Sequence, residues 1–505
     1  MKGLIFLLWG DQMVPTKHIS MKEVIDQAVR NNSHSVRCYL CNDSGNKDRF
    51  IDRYGDNVIF SAGKWYIWNG KIWQKDENEK SLYELIEETV KDIFNDAQTA
   101  QTHTESAQLG KWASSSLNAN RLKAMKGLVE KALSLPIAQL DSFVQLIQLQ
   151  EGKVLDCQTL EVRDTQRDDY LTLSCNVSYD PSARAPRWER FIEEISYDPA
   201  TKASDPACMK YVQVVMGTAL SGVVDHQMAW FFYGAGANGK STLLNTIAHL
   251  LGDYSRKLPA SSLMAKKYSS GGTASNDIAM LRGARLAVTS ETSGTSWFDD
   301  ALIKDLCGGD KISCRFLYQD FFEFVPQFTL IMYGNSRPRL RHVDGGMTRR
   351  LKMVPFDFHS DKREDLLSIF LGTEKTGILN WLIEGLRIFN EIGVEGLIQL
   401  EPDRVRNETS EYFHDQDKVR LFLDDMCNCD NIRDGESAGV TELYTAFRKW
   451  CENVGEHPFS QREFGKQLEL KEFKQERTSL RRFWKGISIR KDYETYDHLN
   501  VFSSI

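Results

Sequence analysis

No run of about 18 consecutive apolar residues occurs in this 505-residue chain, so no membrane span is expected. The N-terminal MKGLIFLLWG has six apolar residues in a row, from Leu4 to Trp9. That is short for a signal-peptide core, and Asp11 closes it without a small-residue cleavage site, so a buried strand and a cytoplasmic protein are expected. A basic excess is also missing. The formal net charge of −7 excludes a uniformly basic nucleic-acid coat, and any contact with nucleic acid has to come from local patches. Ten cysteines are scattered without a disulfide framework, which fits a reducing compartment. A complete zinc site is lacking too. Cys38 and Cys41 form one CxxC near His34, but no second ligand pair stands at zinc spacing, and Cys427 with Cys429 is weaker still. An ordinary turn carrying two thiols is the preferred reading. There is no internal repeat.

What is present is the composition of a globular protein, 41% hydrophobic and 26% charged, long enough for roughly two to four domains. The chain is organised around MAWFFYGAGANGKST, residues 228–242. Met228 to Tyr233 are mostly apolar and read as a strand. Gly234 to Ser241 fit GxxxxGK(S/T), and Leu243, Leu244, Ile247, Leu250 and Leu251 then recur at helical spacing. Gly234, Gly236 and Gly239, with Asn238 in the same turn, let the backbone curl around a polyphosphate with its N–H groups inward. The helix beginning at Lys240 turns its positive N-terminus to the same anion. Lys240 can reach the β- and γ-phosphates, and Ser241, followed by Thr242, can hold a magnesium ion. ATP and Mg2+ are therefore the expected ligands.

Before this loop, Ser20 and Glu23 form a capping box that predicts a helix over residues 20–30. KWYIW and KIWQK flank Asn69-Gly70 and predict a hairpin, with Trp65, Trp68 and Trp73 expected in a core or on a sheet face. Residues 81–94 carry Leu82, Leu85, Ile86, Val90, Ile93 and Phe94 on one helical face. A polar stretch over 97–118 reads as loop or solvated helix, 119–133 as helix, and 143–174 as short strands. Pro181 and Pro186 mark a boundary near residue 185. Helical stretches near 187–196 and 206–222 then lead into the nucleotide strand. Residues 264–276 have loop composition. After Pro402, residues 402–427 read as one charged helix, 440–452 as an amphipathic helix, and FSQREFGKQL with the aromatic, basic stretch beyond it as a helix and two short strands.

A phosphate loop names only a superfamily, so its companions decide the class. ARLAVTSE predicts a strand through Leu286, Ala287 and Val288 that ends at Ser290-Glu291. Glu291 is expected at the end of the strand neighbouring the phosphate-loop strand, where a carboxylate can orient magnesium or the attacking water. FTLIMYGN predicts a further strand from Phe328 to Tyr333, then Gly334-Asn335, whose amide can sense the γ-phosphate. GMTRRLKMVPF places Arg349 and Arg350 just before another strand, where an arginine can reach a neighbouring subunit's γ-phosphate.

GAGANGKST, ARLAVTSET, DDALIKDLCGGDKISCRFLYQDFFEFVPQF, YGNSRPRL and GGMTRRLKMVPF, in that order, resemble the superfamily 3 helicase core. The resemblance is to the C-terminal half of phage and plasmid primase-helicases, related to the poxvirus NTPase-primase. GNKDRFIDRYGDNV and WYIWNGKIW are similar to the family's domain before the ATPase, and VTELYTAFRKWCENVGEHPFSQREFGKQL to its C-terminal winged helix, so the likeness covers about residues 45–490. It implies Glu291 as the Walker B acid, Asn335 as sensor, and Arg349 or Arg350 as finger, with no choice between the two. It also implies Ile312 to Phe324 as a hairpin projecting into a ring channel. This sequence departs from the pattern in two places. Glu291 is followed by Thr292 where many members carry paired acids. The hairpin tip reads Leu317, Tyr318, Gln319, Asp320 where relatives often carry lysine, leaving charge to Lys311 and Arg315 and stacking to Tyr318.

Residues 471–491 concentrate Lys471, Lys474, Arg477, Arg481, Arg482, Lys485, Arg490 and Lys491 around Phe483 and Trp484. Local charge among aromatics suits nucleic acid, although a solvated face beside a small core explains the same run. The expected fold is α/β: an α+β domain over 1–185, an AAA+-like P-loop core over 186–395, and a winged-helix-like domain over 400–505. The expected protein is an ATP-driven ring helicase, a hexamer, on single-stranded or forked DNA. The resemblance implies 3′ to 5′ travel in replication of a phage, plasmid or virus. Two readings stay open beside it. One is the helicase part of a primase-helicase system whose primase is a separate chain, because about 45 residues before the matching region are too few for a primase domain. The other is a nucleotide-dependent assembly switch that does not unwind.

Overall fold

The computed structural model describes residues 39–265, 276–290, 297–317, 320–340, 343–359, 364–429, 437–479 and 481–490. The helix expected over 20–30, Cys38 with His34, most of the 264–276 loop, Glu291, Tyr318, Gln319 and Lys491 lie outside these residues.

The chain enters through α1 (Asp43–Tyr54) and a three-stranded meander, β1 (Val58–Ser61), β2 (Lys64–Trp68) and β3 (Trp73–Lys75). The Asn69-Gly70 signal does mark a hairpin, with Trp68 opposite Trp73, but the loop spans residues 69–72 rather than two residues. The Asn69 side-chain oxygen accepts the N–H groups of Lys71 at 3.0 Å and Ile72 at 2.9 Å, which withdraws both from the ladder. The tight turn lies instead at Ala62-Gly63, both left-handed, with φ of 49° and 73°. Trp65, Trp68 and Trp73 are buried, as core packing requires. Three helices follow, α2 (Lys80–Thr99), α3 (His103–Ser116) and α4 (Ala119–Ala132). The polar stretch resolves into α3 because Thr102 caps it. The Trp112 indole donates to the Asn46 side chain at 2.9 Å and fixes one face.

A second antiparallel sheet, β4 (Leu146–Gln148), β5 (Lys153–Asp156) and β6 (Val162–Asp164), precedes the Pro181–Pro186 segment. Its Ile147 and Leu155, with Cys157, Cys175 and Val177, share one core with Trp188, Tyr211 and Leu243 beyond that segment.

The central layer is a five-stranded, all-parallel sheet. Helices α5 (Pro186–Ile195) and α6 (Pro206–Ser221) lead into β7 (Ala229–Tyr233) and α7 (Lys240–Leu251). Strands β8 (Ser255–Leu258) and β9 (Leu286–Ser290) follow, then α8 (Asp300–Gly308) and a small hairpin, β10 (Ile312–Cys314) with β11 (Phe322–Phe324). β12 (Thr329–Gly334), α9 (Gly345–Arg350), β13 (Leu351–Pro355) and α10 (Lys375–Gln399) complete it. The order across the sheet is β8-β9-β12-β7-β13. Alternation sends Trp230 and Phe232 of β7 to a core formed with α6, α7 and α10, and Ala229 and Phe231 to the opposite core with Ile303, Leu306 and Met353. Burial on both faces is why the strands read as unbroken apolar runs.

His226, just ahead of β7, is 4% exposed; its Nδ1 accepts the Met228 N–H at 3.0 Å and its Nε2 has no partner among the described residues. Burial pulls its pKa down to about 4. The unfolded chain therefore binds a proton that the fold refuses between about pH 6.5 and 4, so stability drops as pH falls through that window. Full loss at pH 4 is on the order of 3 kcal/mol. Urea unfolding midpoints at pH 7 and pH 4.5 should differ less in His226→Gln than in the wild type; equal pH slopes would remove His226 from the account.

The single charged helix expected over 402–427 is two helices, α11 (Asp403–Gln416) and α12 (Lys418–Met426). Asp417 breaks it, since its carboxylate accepts the Arg420 N–H and caps α12. Tyr412 and Phe413 of α11 belong to the core of the central sheet. A separate core begins at α12. It joins β14 (Ser437–Gly439), α13 (Val440–Asn453), α14 (Gln461–Leu470), β15 (Lys474–Arg477) and β16 (Arg482–Lys485) through Phe422, Phe447, Phe464 and Trp484. Among the described residues, no helix is long and apolar enough to cross a membrane, and no group of three or more His, Cys, Asp or Glu side chains is placed to hold a metal ion.

Candidate active site

The loop from Gly234 to Gly239 leaves the carboxyl end of β7, the edge where parallel α/β sheets hold ligands. Gly234 has φ of 148°, and a Cβ there would lie 2.1 Å from the Phe356 carbonyl oxygen; Gly239 has φ of 86°, and its Cβ would lie 2.4 Å from Ile195. Both positions need glycine. A Cβ on Gly236 would meet nothing within 4 Å, so the loop is open at that residue. Lys240 is 3% exposed; its ammonium donates to the Gly234 carbonyl at 2.9 Å and to Asn238 Oδ1 at 2.8 Å. Asn238 Nδ2 in turn donates to the Phe356 carbonyl at 3.0 Å. The Asn238 side chain thus braces the loop against the end of β13 and aims Lys240 across it. No side chain caps α7 at Gly239, and Ser241 and Thr242 stand in its first turn, which leaves helix N–H donors for an anion. These residues fit a polyphosphate with its magnesium ion.

Two strands bring the companions. β12 lies directly beside β7, with Gly334 opposite Tyr233, and Asn335, which is exposed, follows at the same edge as Gly234. β9 does not neighbour β7, contrary to expectation: β12 lies between them, with Ser290 opposite Tyr333. The sequence order β9 then β12 hid this, because parallel strands joined by long crossovers need not lie side by side in chain order. Ser290, the residue before Glu291, still ends at the same carboxyl edge.

Arg337, two residues past Asn335, carries no signal in a single sequence and was missed. Its guanidinium lies 4.9 Å over the Tyr233 ring, donates to the Tyr233 hydroxyl at 3.1 Å and pairs with Glu408 at 2.5 Å. Tyr233 also donates to Glu408. Burial opposes the guanidinium charge, yet the Tyr233 bond and the Glu408 and Glu411 charges raise its pKa overall. Tyr233 immediately precedes Gly234, so the network holds the root of the loop.

Arg349 and Arg350 end α9, and Leu351 pairs with Ala229 at the amino edge of the sheet. That edge is roughly 16 Å of strand from Gly234, beyond the reach of an arginine in the same chain. Arg349 is exposed, while Arg350 donates to the Gly346 carbonyl at 3.1 Å.

The β10–β11 hairpin pairs Ile312 with Phe324. Lys311 stands 4.0 Å from Glu323, and Arg315 lies 4.7 Å over the ring of Phe321. Leu317 and Phe321 are more than half exposed at the tip. At the C-terminal turn, Arg481 and Arg482 are exposed where the β15–β16 bend enters β16, and the Thr478 N–H donates to the Arg481 carbonyl at 2.9 Å. The rest of the basic run divides. Lys471 pairs with Asp417, Arg490 reaches Asn428 at 3.2 Å, and Trp484 is core. Among the described residues no carboxylate pairs with Lys474, Arg477, Arg481 or Arg482.

Residues 47–196 match the family described as D5 N terminal like, residues 232–350 a family of unknown function (DUF5906), and residues 414–503 the family described as Poxvirus D5 protein-like. The chain is 25% identical over 483 residues to "Putative helicase L207/L206" of Acanthamoeba polyphaga mimivirus, covering 86% of this chain and 48% of that protein. It is 23% identical over 473 residues to "Putative helicase 121R" of Invertebrate iridescent virus 3, covering 80% of this chain and 49% of that one. The chain thus spans about half the length of these curated relatives. Among solved structures, "The A form apo structure of NrS-1 C terminal region-CTR" is similar at 10% identity and a TM-score of 0.42, over 85% of this chain and 94% of that one; at that level it says nothing of function. The resemblance read from the motifs holds in these comparisons: the chain carries a D5 N terminal like segment and a poxvirus D5-like segment on either side of its phosphate loop, and is related to helicase-named proteins of large DNA viruses.

Proposed function

We propose that this chain is an ATP-hydrolysing DNA helicase motor of the AAA+-like superfamily 3 type, assembling as a ring, a hexamer, in the replication of a virus or other mobile element. The observation that carries the reading is the loop itself: Gly234 to Thr242 at the carboxyl end of β7, with Asn335 just past the end of the adjacent strand. Lys240 and the N–H groups at the start of α7 would bind the β- and γ-phosphates. Ser241, with Glu291, would hold Mg2+, which supplies charge neutralisation at the phosphates. Asn335 would sense the γ-phosphate. Arg349 or Arg350 would serve the neighbouring subunit's nucleotide, in keeping with their distance from their own loop. The module from α12 to β16 is taken as a winged helix whose wing, the β15–β16 turn, meets DNA together with the hairpin residues Lys311, Arg315, Tyr318 and Gln319.

A forked duplex with a 3′ or a 5′ single-stranded arm tests the reading. ATP-dependent strand separation is expected on the 3′-armed fork. ATP hydrolysis and DNA binding without any strand separation would favour the assembly switch instead. Unwinding that needs an added primase chain would favour the two-polypeptide system.

The wing has its own test. Arg481→Ala with Arg482→Ala should weaken binding of single-stranded oligonucleotides of any sequence. It should also make log Kd against log salt shallower by about 1 for each arginine. An unchanged salt slope would return these arginines to the solvated-face reading.

A further inference from the structure

The stretch after Asn335 is fastened, residue by residue, to the helix that leads out of the central sheet. Arg337 pairs with Glu408 at 2.5 Å, the Pro338 carbonyl accepts the Tyr412 hydroxyl at 2.9 Å, and the Leu340 N–H donates to Gln416 Oε1 at 3.1 Å. Glu408, Tyr412 and Gln416 recur every four residues along one face of α11. Arg339 skips α11 and reaches the C-terminal module, meeting Glu456 at 3.6 Å and lying 5.8 Å over Trp297. Glu456, just after α13, also pairs at 2.7 Å with Lys418, the first residue of α12. At its other end the stretch is rooted in the nucleotide site, because Arg337 grips Tyr233, the residue before Gly234.

We propose that residues 336–340 form a coupling strap through which the nucleotide site and the C-terminal module sense each other. This rests on the functional reading above. Movement of Asn335 or of Gly234 displaces one end of Arg337. Glu408, Tyr412 and Gln416 carry that displacement along a rigid helix, and Asp417 passes it to α12 with no intervening loop. Arg339–Glu456 closes the path directly onto the module. Such a path is a contiguous set of packed and hydrogen-bonded groups, and what makes it coupling is a measurable interaction free energy between two ligands. That interaction has to be reciprocal: the factor by which nucleotide alters DNA affinity equals the factor by which DNA alters nucleotide affinity.

The strap can be cut at Arg339 without opening a core, because both partners of this ion pair are partly exposed. In the full-length wild type, a non-hydrolysable ATP analogue should shift the affinity for a fluorescent single-stranded oligonucleotide on the order of 10-fold, and the oligonucleotide should shift analogue affinity by the same factor. In Arg339→Ala, and separately in Glu456→Gln, both factors should fall equally toward one, keeping only what α11 and Asp417 transmit, while the affinity for each ligand alone stays at the wild-type value. The double variant should be no worse than Glu456→Gln alone, since the Arg339–Glu456 link is already broken there. A factor in Arg339→Ala equal to that of the wild type overturns the strap, as does a general loss of both affinities with the factor unchanged. A wild type that binds both ligands without any coupling overturns the strap and leaves the functional reading standing. A wild type that binds neither overturns the functional reading and the strap with it.

Discussion

Lys240→Ala is expected to lower ATP turnover by at least about two orders of magnitude, the scale on which removing one preorganised transition-state donor acts. Lys240 is not a surface lysine. Its ammonium is buried, held by the Gly234 carbonyl and Asn238 Oδ1, with the Ala235 carbonyl at 3.4 Å. On binding ATP it would exchange these neutral acceptors for phosphate oxygens, a stronger, charge-assisted interaction. Alanine keeps the helix, since α7 has strong propensity without it, but strands the two oxygens that the ammonium satisfied. A stability loss of about 1–3 kcal/mol should accompany the loss of activity. The Tm of the variant must therefore be measured beside its turnover, both at a temperature where the fold persists. Wild-type hydrolysis by the folded variant would remove Lys240 from the phosphate site.

Much of this site was legible because its chemistry is local. The glycines, Lys240 and the strand before them are contiguous, and the same contiguity exposed β9, β12 and β13 as apolar runs. What depends on lateral order was not legible. That β12 separates β9 from β7 follows from crossovers that no window of residues encodes. Asn238 reads as a phosphate-loop residue, but its bracing bond goes to Phe356, far along the chain. Arg337 looks like one more surface arginine until β12 brings it over Tyr233 and α11 brings Glu408 beneath it. The helix break at Asp417 was readable in principle, because aspartate is a preferred N-cap residue. The charge pattern on both sides masked it.

The arginines at the opposite edge carry the second large expected effect. With Leu351 paired to Ala229, Arg349 and Arg350 directly precede the strand that Pro355 ends beside Tyr233, so the length of β7 separates them from their own Gly234. A chain in which they complete an active site must lend them to a neighbour. Arg349→Ala with Arg350→Ala should still bind ATP, because Gly234 to Ser241 are intact, yet lose hydrolysis by about 10³-fold or more, the worth of an arginine finger. Mixed with Lys240→Ala, this variant should regain part of the activity, since some interfaces then pair an intact loop with intact arginines. Recovery should rise with total protein concentration as subunits assemble and exchange. The single-arginine variants would then divide the role: Arg349 is exposed and Arg350 is tied to Gly346, so Arg349→Ala is expected to reproduce most of the loss. A mixture that stays as inactive as its components despite proven exchange leaves two causes. Either the arginines do not act in trans, or turnover requires every interface of the ring to be competent. A crosslinked dimer of the two variants holds one complete interface, and hydrolysis by that dimer alone decides for the second cause.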